Sequence, residues 1–128
     1  MIYLDSSVLL AELMSESRTP PPKLWQETLI SSRLLEFEVW NRLHARPHSQ
    51  SIATLARTLL ERIPMIDFAP NVLGRALSPF PIPVRTLDAL HLATVDYIRA
   101  GRQEVSLATY DRRLAAAAQA LGVPLAAL

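Results

Sequence analysis

The sequence predicts a single α/β domain, residues 1–128, in which a mainly parallel central sheet is flanked by helices. Short apolar runs typical of buried strands alternate along the chain with longer segments of helical periodicity, as in βαβ units. The length of 128 residues matches a common single-domain size, and half of the residues are apolar, enough for one sizeable core. No internal repeat and no linker divides the chain.

In the N-terminal half, the expected strands are short apolar runs, and the expected helices begin near serines or end before prolines. These elements are, in order, a strand at 2–5, a helix at 8–14, a short helix at 23–29, a brief strand at 30–31, a helix from 32 to about 45 and a helix from 49 or 51 to 62. Ser6 and Ser7 are the expected caps of the first helix. A proline-rich connection follows that helix at 15–22.

In the C-terminal half, prolines and glycines mark the ends of the expected elements. These elements are, in order, a strand at 65–68, a helix at 70–77, a helix at 87–99, a strand at 105–108, a helix from 111 to 121 and a last short strand at 123–125. Thr86 is expected to cap the helix that follows it, and Gly101 to end that helix. A rigid loop with Pro79, Pro81 and Pro83 precedes Thr86.

Four acidic residues lie in separate segments that the fold is expected to bring together: Asp5, Glu38, Asp88 and Asp111. Asp5 and Asp111 each follow the carboxyl end of a predicted strand, which is the edge where open parallel sheets bind ligands. Four neighbouring carboxylates repel one another unless a cation lies among them. Oxygen ligands favour Mg²⁺ or Mn²⁺ over zinc, and Mg²⁺ sites usually include waters and substrate phosphates. Phosphoryl-transfer chemistry is therefore the first hypothesis.

Each acid also has a purely structural interpretation. Asp5 and Asp111 can cap the helices that follow them, and Asp88 lies in a first helical turn, where the dipole favours a carboxylate by about 0.3–1 kcal/mol. Glu38 lies mid-helix and needs a partner if it is partly buried. Arg42, four residues later, can provide an ion pair. The sequence by itself leaves both interpretations open.

Two further polar residues share the helix face of Asp88. His91 lies three residues after Asp88, and we expect it to be a hydrogen-bonded partner of a carboxylate rather than a metal ligand. Asp96 lies eight residues after Asp88, and we expect it to be an exposed helix residue rather than an outer carboxylate of the site.

Composition excludes several kinds of site. There are no cysteines, so disulfides, thiolate metal sites and cysteine nucleophiles are excluded. No apolar run approaches the roughly 20 residues of a membrane span, and the N-terminus lacks the basic lead-in of a signal peptide. We therefore expect a cytoplasmic protein without a membrane partner. The net charge is only +1, but every basic residue except Lys23 is an arginine, which suits phosphate contacts.

Four segments of the chain resemble the PIN domain family. The run from Tyr3 to Leu10 is similar to the opening of a PIN domain, and 31–39 resembles the segment that carries its second acid. The most specific match is Thr86 to Thr94, with the run Leu-Asp-Ala-Leu-His-Leu-Ala. Thr109-Tyr110-Asp111 with Leu114 resembles the last acidic motif. The segments follow the family's order and look most like the VapC-type toxins of bacterial and archaeal toxin–antitoxin pairs.

The resemblance implies a single PIN-like domain with Mg²⁺- or Mn²⁺-dependent endoribonuclease activity. It maps the family's acidic positions, which are both catalytic residues and metal ligands, onto Asp5, Glu38, Asp88 and Asp111. Asp5 and Asp111 are the best candidates for direct ligands, and the other two for holding a second ion or orienting waters. In this mechanism a metal-activated water attacks an RNA phosphodiester. The family also implies a homodimer and a cognate antitoxin that blocks the site.

Two other classes of function stay open at this point. A phosphoacceptor receiver and a haloacid-dehalogenase-like phosphatase are also small Mg²⁺-dependent α/β domains. Both need a lysine late in the chain, and Lys23 is the only lysine, which counts against them. The non-enzymatic alternative is a catalytically degenerate PIN fold that serves as a binding or dimerisation module. The four intact acids argue against it.

The first helix carries more apolar residues than one face needs. They are Val8, Leu9, Leu10, Leu13 and Met14. We therefore expect an uncovered apolar face that a second copy of the chain or an antitoxin segment covers. We also expect the antitoxin to place a basic side chain, first of all an arginine, near Asp5 and Asp88, where it competes with metal.

Overall fold

A parallel sheet of four strands forms the centre of the structure, a computed structural model that describes residues 1–128. Its strands are β1 (Ile2–Leu4), β2 (Leu29–Ser32), β3 (Met65–Ile66) and β4 (Ser106–Ala108). Every neighbouring pair is parallel, and the spatial order is β3-β2-β1-β4. The predicted fold class, an α/β domain with a mainly parallel sheet flanked by helices, is confirmed.

Six α-helices follow one another in the expected order. They are α1 (Ser6–Leu13), α2 (Leu34–His44), α3 (Gln50–Glu61), α4 (Pro70–Leu77), α5 (Thr86–Ala100) and α6 (Arg112–Ala120). Pro70 begins α4, where its missing N–H has no helical partner to lose. Ser49 caps α3 by accepting a hydrogen bond from the Ile52 N–H. None of the helices combines the length and the apolar character that a membrane crossing requires.

Two expected helix caps lie one residue from their predicted positions. Thr86 is the first residue of α5 rather than its cap, and the preceding Arg85 makes no side-chain capping bond. Ser6 and Ser7 both lie inside α1, and Asp5 caps that helix by accepting from the Ser7 N–H. Asp5 has the extended backbone of an N-cap, since it continues the direction of β1.

The strand expected at 65–68 covers only Met65–Ile66, and two other expected elements are also shorter than the sequence indicated. The segment at 23–29 forms only a 3₁₀ helix over Pro22–Gln26, because Leu29 already pairs with Ile2 in the sheet. The segment at 123–125 makes a single bridge to β4 through Leu125 rather than a strand. Pairing with distant segments, which local periodicity does not register, decides the length of both elements.

The sheet is buried on both faces, and β1 supplies one residue to each core. Leu4 packs with residues of α1, α2 and α3, whereas Tyr3 packs with residues of α5, β4 and α6. Both side chains are fully buried. Because successive strand residues point to opposite faces, this is the arrangement of a parallel sheet between two helical layers.

The order of the strands reverses at β1. β2 and β3 lie on one side of β1, and β4 lies on the other. The loops that leave the carboxyl ends of β1 and β4 therefore diverge, and such a switch point is where open parallel sheets bind ligands. Asp5 directly follows β1, and Asp111 follows β4 after a short loop. Both acids lie at this edge of the sheet, as predicted.

The expectation of an uncovered apolar face on the first helix was wrong. Val8 and Leu9 are fully buried in a core shared with α2 and α3, and Leu10 and Met14 are half-buried against it. Helices of the same chain provide the cover that the prediction assigned to a partner. Exposed apolar side chains lie instead on other elements, among them Leu77 on α4, which is 89% exposed, and Phe37 on α2, which is 66% exposed.

An ion pair joins α4 to α5. Nε of Arg75 lies 2.9 Å from Asp96 Oδ2, and Nη1 of Arg99 lies 3.6 Å from Oδ1. Arg75 also lies over Phe80, with its guanidinium carbon 4.0 Å from the ring centre. Asp96 was expected to be exposed. These contacts leave it half-buried instead, and it does not line the acidic edge of the sheet.

Candidate metal centre

The four acids identified from the sequence line one cavity at the carboxyl edge of the sheet. Its volume is about 390 Å³. The start of α1 and the start of α5 complete its wall. The lining residues are Asp5, Ser6, Ser7, Glu38, Arg85, Thr86, Leu87, Asp88 and Asp111. The fold thus brings together acids from four separate segments of the chain.

Asp5 caps α1 and also faces the cavity. Its Oδ2 atom accepts hydrogen bonds from the Ser7 hydroxyl at 2.6 Å and from the Thr109 hydroxyl at 2.8 Å. The Ser7 oxygen accepts the Tyr110 N–H at 2.9 Å, which joins the start of α1 to the loop after β4. Oδ1 lies 3.6 Å from His91 Nε2. The capping interpretation of Asp5 is correct, and it leaves one carboxylate oxygen for a ligand.

The two carboxylate oxygens of Asp111 also have separate roles. Its Oδ1 atom caps α6 by accepting from the N–H groups of Arg113 and Leu114, at 2.8 and 3.2 Å. Its Oδ2 atom lies 3.2 Å from Nη2 of Arg85. The Thr109 hydroxyl oxygen accepts the Asp111 N–H at 3.0 Å and so orders the loop before α6. The cap orients Asp111 and leaves Oδ2 available in the cavity.

Asp88 is buried in the first turn of α5, where its surroundings oppose a negative charge. Burial raises the pKa of its carboxyl group, and the carboxylates of Asp111 and Asp5 raise that pKa further. Arg85 has the opposite effect on the pKa, with its Nε atom 3.4 Å from Asp88 Oδ2. Positive charge beside Asp88 therefore stabilises its ionised form.

Glu38 is held by a buried histidine rather than by an arginine. Its Oε1 atom lies 2.6 Å from His91 Nε2, and His91 Nδ1 lies 2.7 Å from the Tyr3 hydroxyl. Arg42, the partner expected in the structural interpretation, is exposed and forms no ion pair with Glu38. The contacts Tyr3–His91–Glu38 run from the core to the cavity and link β1, α5 and α2.

His91 acts as a hydrogen-bond donor to Glu38. Burial alone lowers the pKa of its imidazole, but Tyr3 and the carboxylates of Glu38 and Asp5 outweigh that effect and raise the pKa to about 10. At neutral pH the ring is therefore cationic. Ligand atoms of Asp5, Glu38 and His91 lie within 4.8 Å of one another, close enough to hold one metal ion. Both ring nitrogens already have partners, Glu38 at Nε2 and Tyr3 at Nδ1, so His91 is placed to orient the acids, and its exclusion as a metal ligand stays a prediction.

The donor set suits a hard divalent cation. Carboxylate oxygens of Asp5, Glu38, Asp88 and Asp111 face one space, and the chain has no thiolate to offer. Mg²⁺ and Mn²⁺ favour such oxygen ligands together with waters. The guanidinium of Arg85 already supplies positive charge between Asp88 and Asp111. The residues present therefore fit a metal site of this class.

Sequence reasoning missed three residues that shape this site. Arg85 was not identified, although its spacing of three residues from Asp88 was a usable signal. Thr109 was identified only as part of the last acidic motif and not as a hydrogen-bond donor to Asp5. Tyr3 gave no signal, since its contact with His91 joins residues that are 88 positions apart.

Tyr3→Phe is expected to destabilise the fold. The substitution keeps the ring in the core but removes the hydroxyl that lies 2.7 Å from His91, so a buried ring nitrogen loses its partner. Such a loss costs about 1–3 kcal/mol in the free energy of unfolding, which urea unfolding measures. Tyr97→Phe, at an exposed position of α5, is the matched control. Equal stability of the two variants would show that Tyr3 does not support His91.

Comparison with known proteins agrees with the fold described above. The sequence matches the family model described as the PIN domain over residues 2–120. It is 32% identical to Ribonuclease VapC47 of Mycobacterium tuberculosis (strain CDC 1551 / Oshkosh), with 95% of this chain and 93% of the relative covered. It is 33% identical to Ribonuclease VapC46 of Mycobacterium tuberculosis (strain ATCC 25618 / H37Rv), with 98% and 96% covered. The chain belongs to the PIN domain family.

Proposed function

We propose that this chain is a metal-dependent endoribonuclease, the toxin component of a type II toxin–antitoxin system, and that it hydrolyses RNA phosphodiesters. The observation that carries the proposal is the single cavity lined by Asp5, Glu38, Asp88 and Asp111. Membership of the PIN domain family and similarity to relatives named as VapC ribonucleases support it. Residues 1–128 are taken as one functional unit, since the family match spans most of them.

The proposed cofactor is Mg²⁺, with Mn²⁺ as the alternative, held by the four acids. A divalent cation there lowers the pKa of a bound water and stabilises charge that develops on the attacked phosphate. The protein contributes orientation: the caps of α1 and α6 hold Asp5 and Asp111, and His91 holds Glu38. Added positive charge favours ionisation of Asp88 in particular, because burial raises the pKa of its carboxyl group.

RNA is proposed to approach the acids along a second cavity that adjoins the first. Its volume is about 510 Å³, and Ser7 and Asp111 line both cavities. Arg18 and Arg42 line the second cavity, and neither forms an ion pair with a carboxylate. Apart from Asp111, Glu16 is the only acid that lines the second cavity. Two guanidinium groups without a carboxylate partner, one of them over the Tyr110 ring, therefore remain for RNA phosphates beside the catalytic acids.

Other classes of function fit the molecule less well. Receivers and haloacid-dehalogenase-like phosphatases need a lysine beside the phosphoryl group. Lys23, the only lysine, lies in the 3₁₀ helix and does not line the acidic cavity. The remaining alternative is a catalytically degenerate PIN fold that only binds or dimerises, and the cleavage experiment described below separates it from the nuclease.

A homodimer and a cognate antitoxin are the proposed partners. The apolar groove between α4, the proline-rich loop and α5 has a volume of about 760 Å³, and we call it the α4 groove. Leu73, Leu77 and Ile82 are exposed there. Because exposed apolar patches mark interaction sites, we assign the α4 groove to a second copy of the chain. The antitoxin is proposed to place an arginine near Asp5 and Asp88, where it competes with metal.

Asp5→Asn is expected to lower the rate of RNA cleavage by at least about 100-fold while the protein stays folded, since Asn is also a good helix cap. The measurement is cleavage of structured RNA by purified protein, with Mg²⁺ or Mn²⁺ and with EDTA, beside a melting curve. Glu36→Gln, on α2 outside the cavity, is the control and should keep the wild-type rate. Full activity in folded Asp5→Asn, or wild-type cleavage in EDTA, would refute the proposal.

Arg42→Ala is expected to raise KM for RNA by about tenfold with little change in kcat. The substitution removes a phosphate contact worth about 1.5 kcal/mol but none of the acids. Steady-state kinetics on a labelled RNA measure both constants. Arg62→Ala, an exposed arginine at the end of α3 that lines neither cavity, is the matched control. If the two variants have the same KM, the second cavity is not the path of the RNA.

Leu77→Glu is expected to convert a homodimer into a monomer. The substitution puts a charge in the centre of an apolar contact, where its desolvation is not compensated. Sedimentation velocity at micromolar concentration measures the change. Leu55→Glu, at an exposed leucine of α3 outside the α4 groove, is the control and should stay dimeric. A wild-type protein that sediments as a monomer would remove the dimer proposal altogether.

A further inference from the structure

Arg85 is the only arginine or lysine that lines the acidic cavity. Its Nε atom lies 3.4 Å from Asp88 Oδ2, and its Nη2 atom lies 3.2 Å from Asp111 Oδ2. Arg85 directly precedes α5, and its side chain caps no backbone N–H of that helix but bonds to Asp88 in the first turn. One guanidinium group therefore bridges two acids that come from the start of α5 and the start of α6.

The acids in this arrangement are fixed, whereas the arginine can move. The Asp88 side chain is 10% exposed within α5, and Asp111 is held by its cap of α6. The Arg85 side chain is 59% exposed and carries no further hydrogen bond. Ion pairs with an exposed partner are individually weak, so little holds the guanidinium in this position apart from the two carboxylates.

In the metal site proposed above, the oxygens that Arg85 contacts belong to two of the four acids assigned to the cation. Oδ2 of Asp111 is the atom left free by the helix cap, and Oδ2 of Asp88 faces the cavity beside it. A guanidinium paired with these oxygens and a divalent cation bound to them exclude each other. By linkage, the arginine weakens binding of the cation as much as the cation weakens the ion pairs.

We propose that Arg85 is an internal counter-ion of the metal-free site that exchanges the two carboxylates for an RNA phosphate when a divalent cation binds. The planar fork of arginine makes this exchange feasible, because it pairs with carboxylates and phosphates through the same N–H groups. Once released, the exposed side chain lies at the mouth of the cavity, beside the acids. The proposal rests on the ribonuclease function above and adds a substrate-binding residue to the four acids.

Two consequences of opposite sign follow from removing this arginine. Affinity for metal rises, because a competitor for the oxygens of Asp88 and Asp111 is gone. The value of kcat/KM for RNA falls, because an RNA phosphate loses the guanidinium group that binds it. A merely structural ion pair does not have both consequences: removing its positive charge can tighten metal binding, but it does not lower kcat/KM for RNA at saturating metal.

The test compares Arg85→Gln and Arg85→Lys with a matched control, Arg33→Gln. Arg33 is also an exposed arginine with two carboxylate partners, Glu36 at 3.6 Å and Asp67 at 2.9 Å, but it lies outside the acidic cavity. Calorimetry without RNA measures Mn²⁺ affinity, and kinetics at saturating Mn²⁺ give kcat/KM for RNA. Melting curves establish that each variant is folded.

Arg85→Gln is expected to bind Mn²⁺ about tenfold more tightly and to have about tenfold lower kcat/KM, with Arg85→Lys between it and the wild type and Arg33→Gln unchanged. Mn²⁺ affinity of Arg85→Gln that equals or falls below the wild-type value overturns the exchange, even if RNA cleavage is impaired. A wild-type protein that binds no Mn²⁺ overturns the proposed function as well, so the two failures are distinguishable.

Discussion

Repulsion among four carboxylates is the constraint on which this edge of the molecule depends. Each acid that faces the cavity is offset by its own donors: a helix N-terminus and two hydroxyls at Asp5, a helix N-terminus and a guanidinium at Asp111, an imidazole at Glu38 and the same guanidinium at Asp88. The parallel topology brings the starts of α1, α5 and α6 to this edge, where the positive ends of helix dipoles stabilise negative charge. The arrangement of helices at this edge of the sheet thus also reduces the repulsion among the four carboxylates.

The order of strands and helices could be predicted from the sequence because its signals are local. Apolar runs identify the strands, and Pro70 and Ser49 mark helix starts through their own backbone chemistry. The errors fall where contacts between distant segments decide. Leu29 belongs to a strand because Ile2 pairs with it. The number of apolar residues in α1 predicted that the helix would be covered, but not that α2 and α3 of the same chain would cover it.

The acids of the site could also be identified from the sequence, because each lies at an element boundary or interrupts an apolar helix. Their partners could be identified only in part, since His91 was expected to bond to a carboxylate but Glu38 was not identified as that carboxylate. Helical spacing predicted an ion pair between Glu38 and Arg42, whereas the partner of Glu38 is His91, 53 residues away. Capping and ligand roles were treated as alternatives for Asp5 and Asp111. A carboxylate has two oxygens, and in both residues one serves the helix while the other stays in the cavity.

The strand β1 is only three residues long, yet it joins both cores to the acidic cavity. Tyr3 reaches one helical layer, Leu4 reaches the other, and Asp5 begins the site. A slip of one residue against β2 and β4 would turn every side chain to the opposite face, burying the tyrosine hydroxyl without His91 and displacing Asp5. A slip of one residue therefore disrupts both cores and the site together. The register of β1 that buries Tyr3 and Leu4 in the two cores is thus also the register that places Asp5 in the acidic cavity.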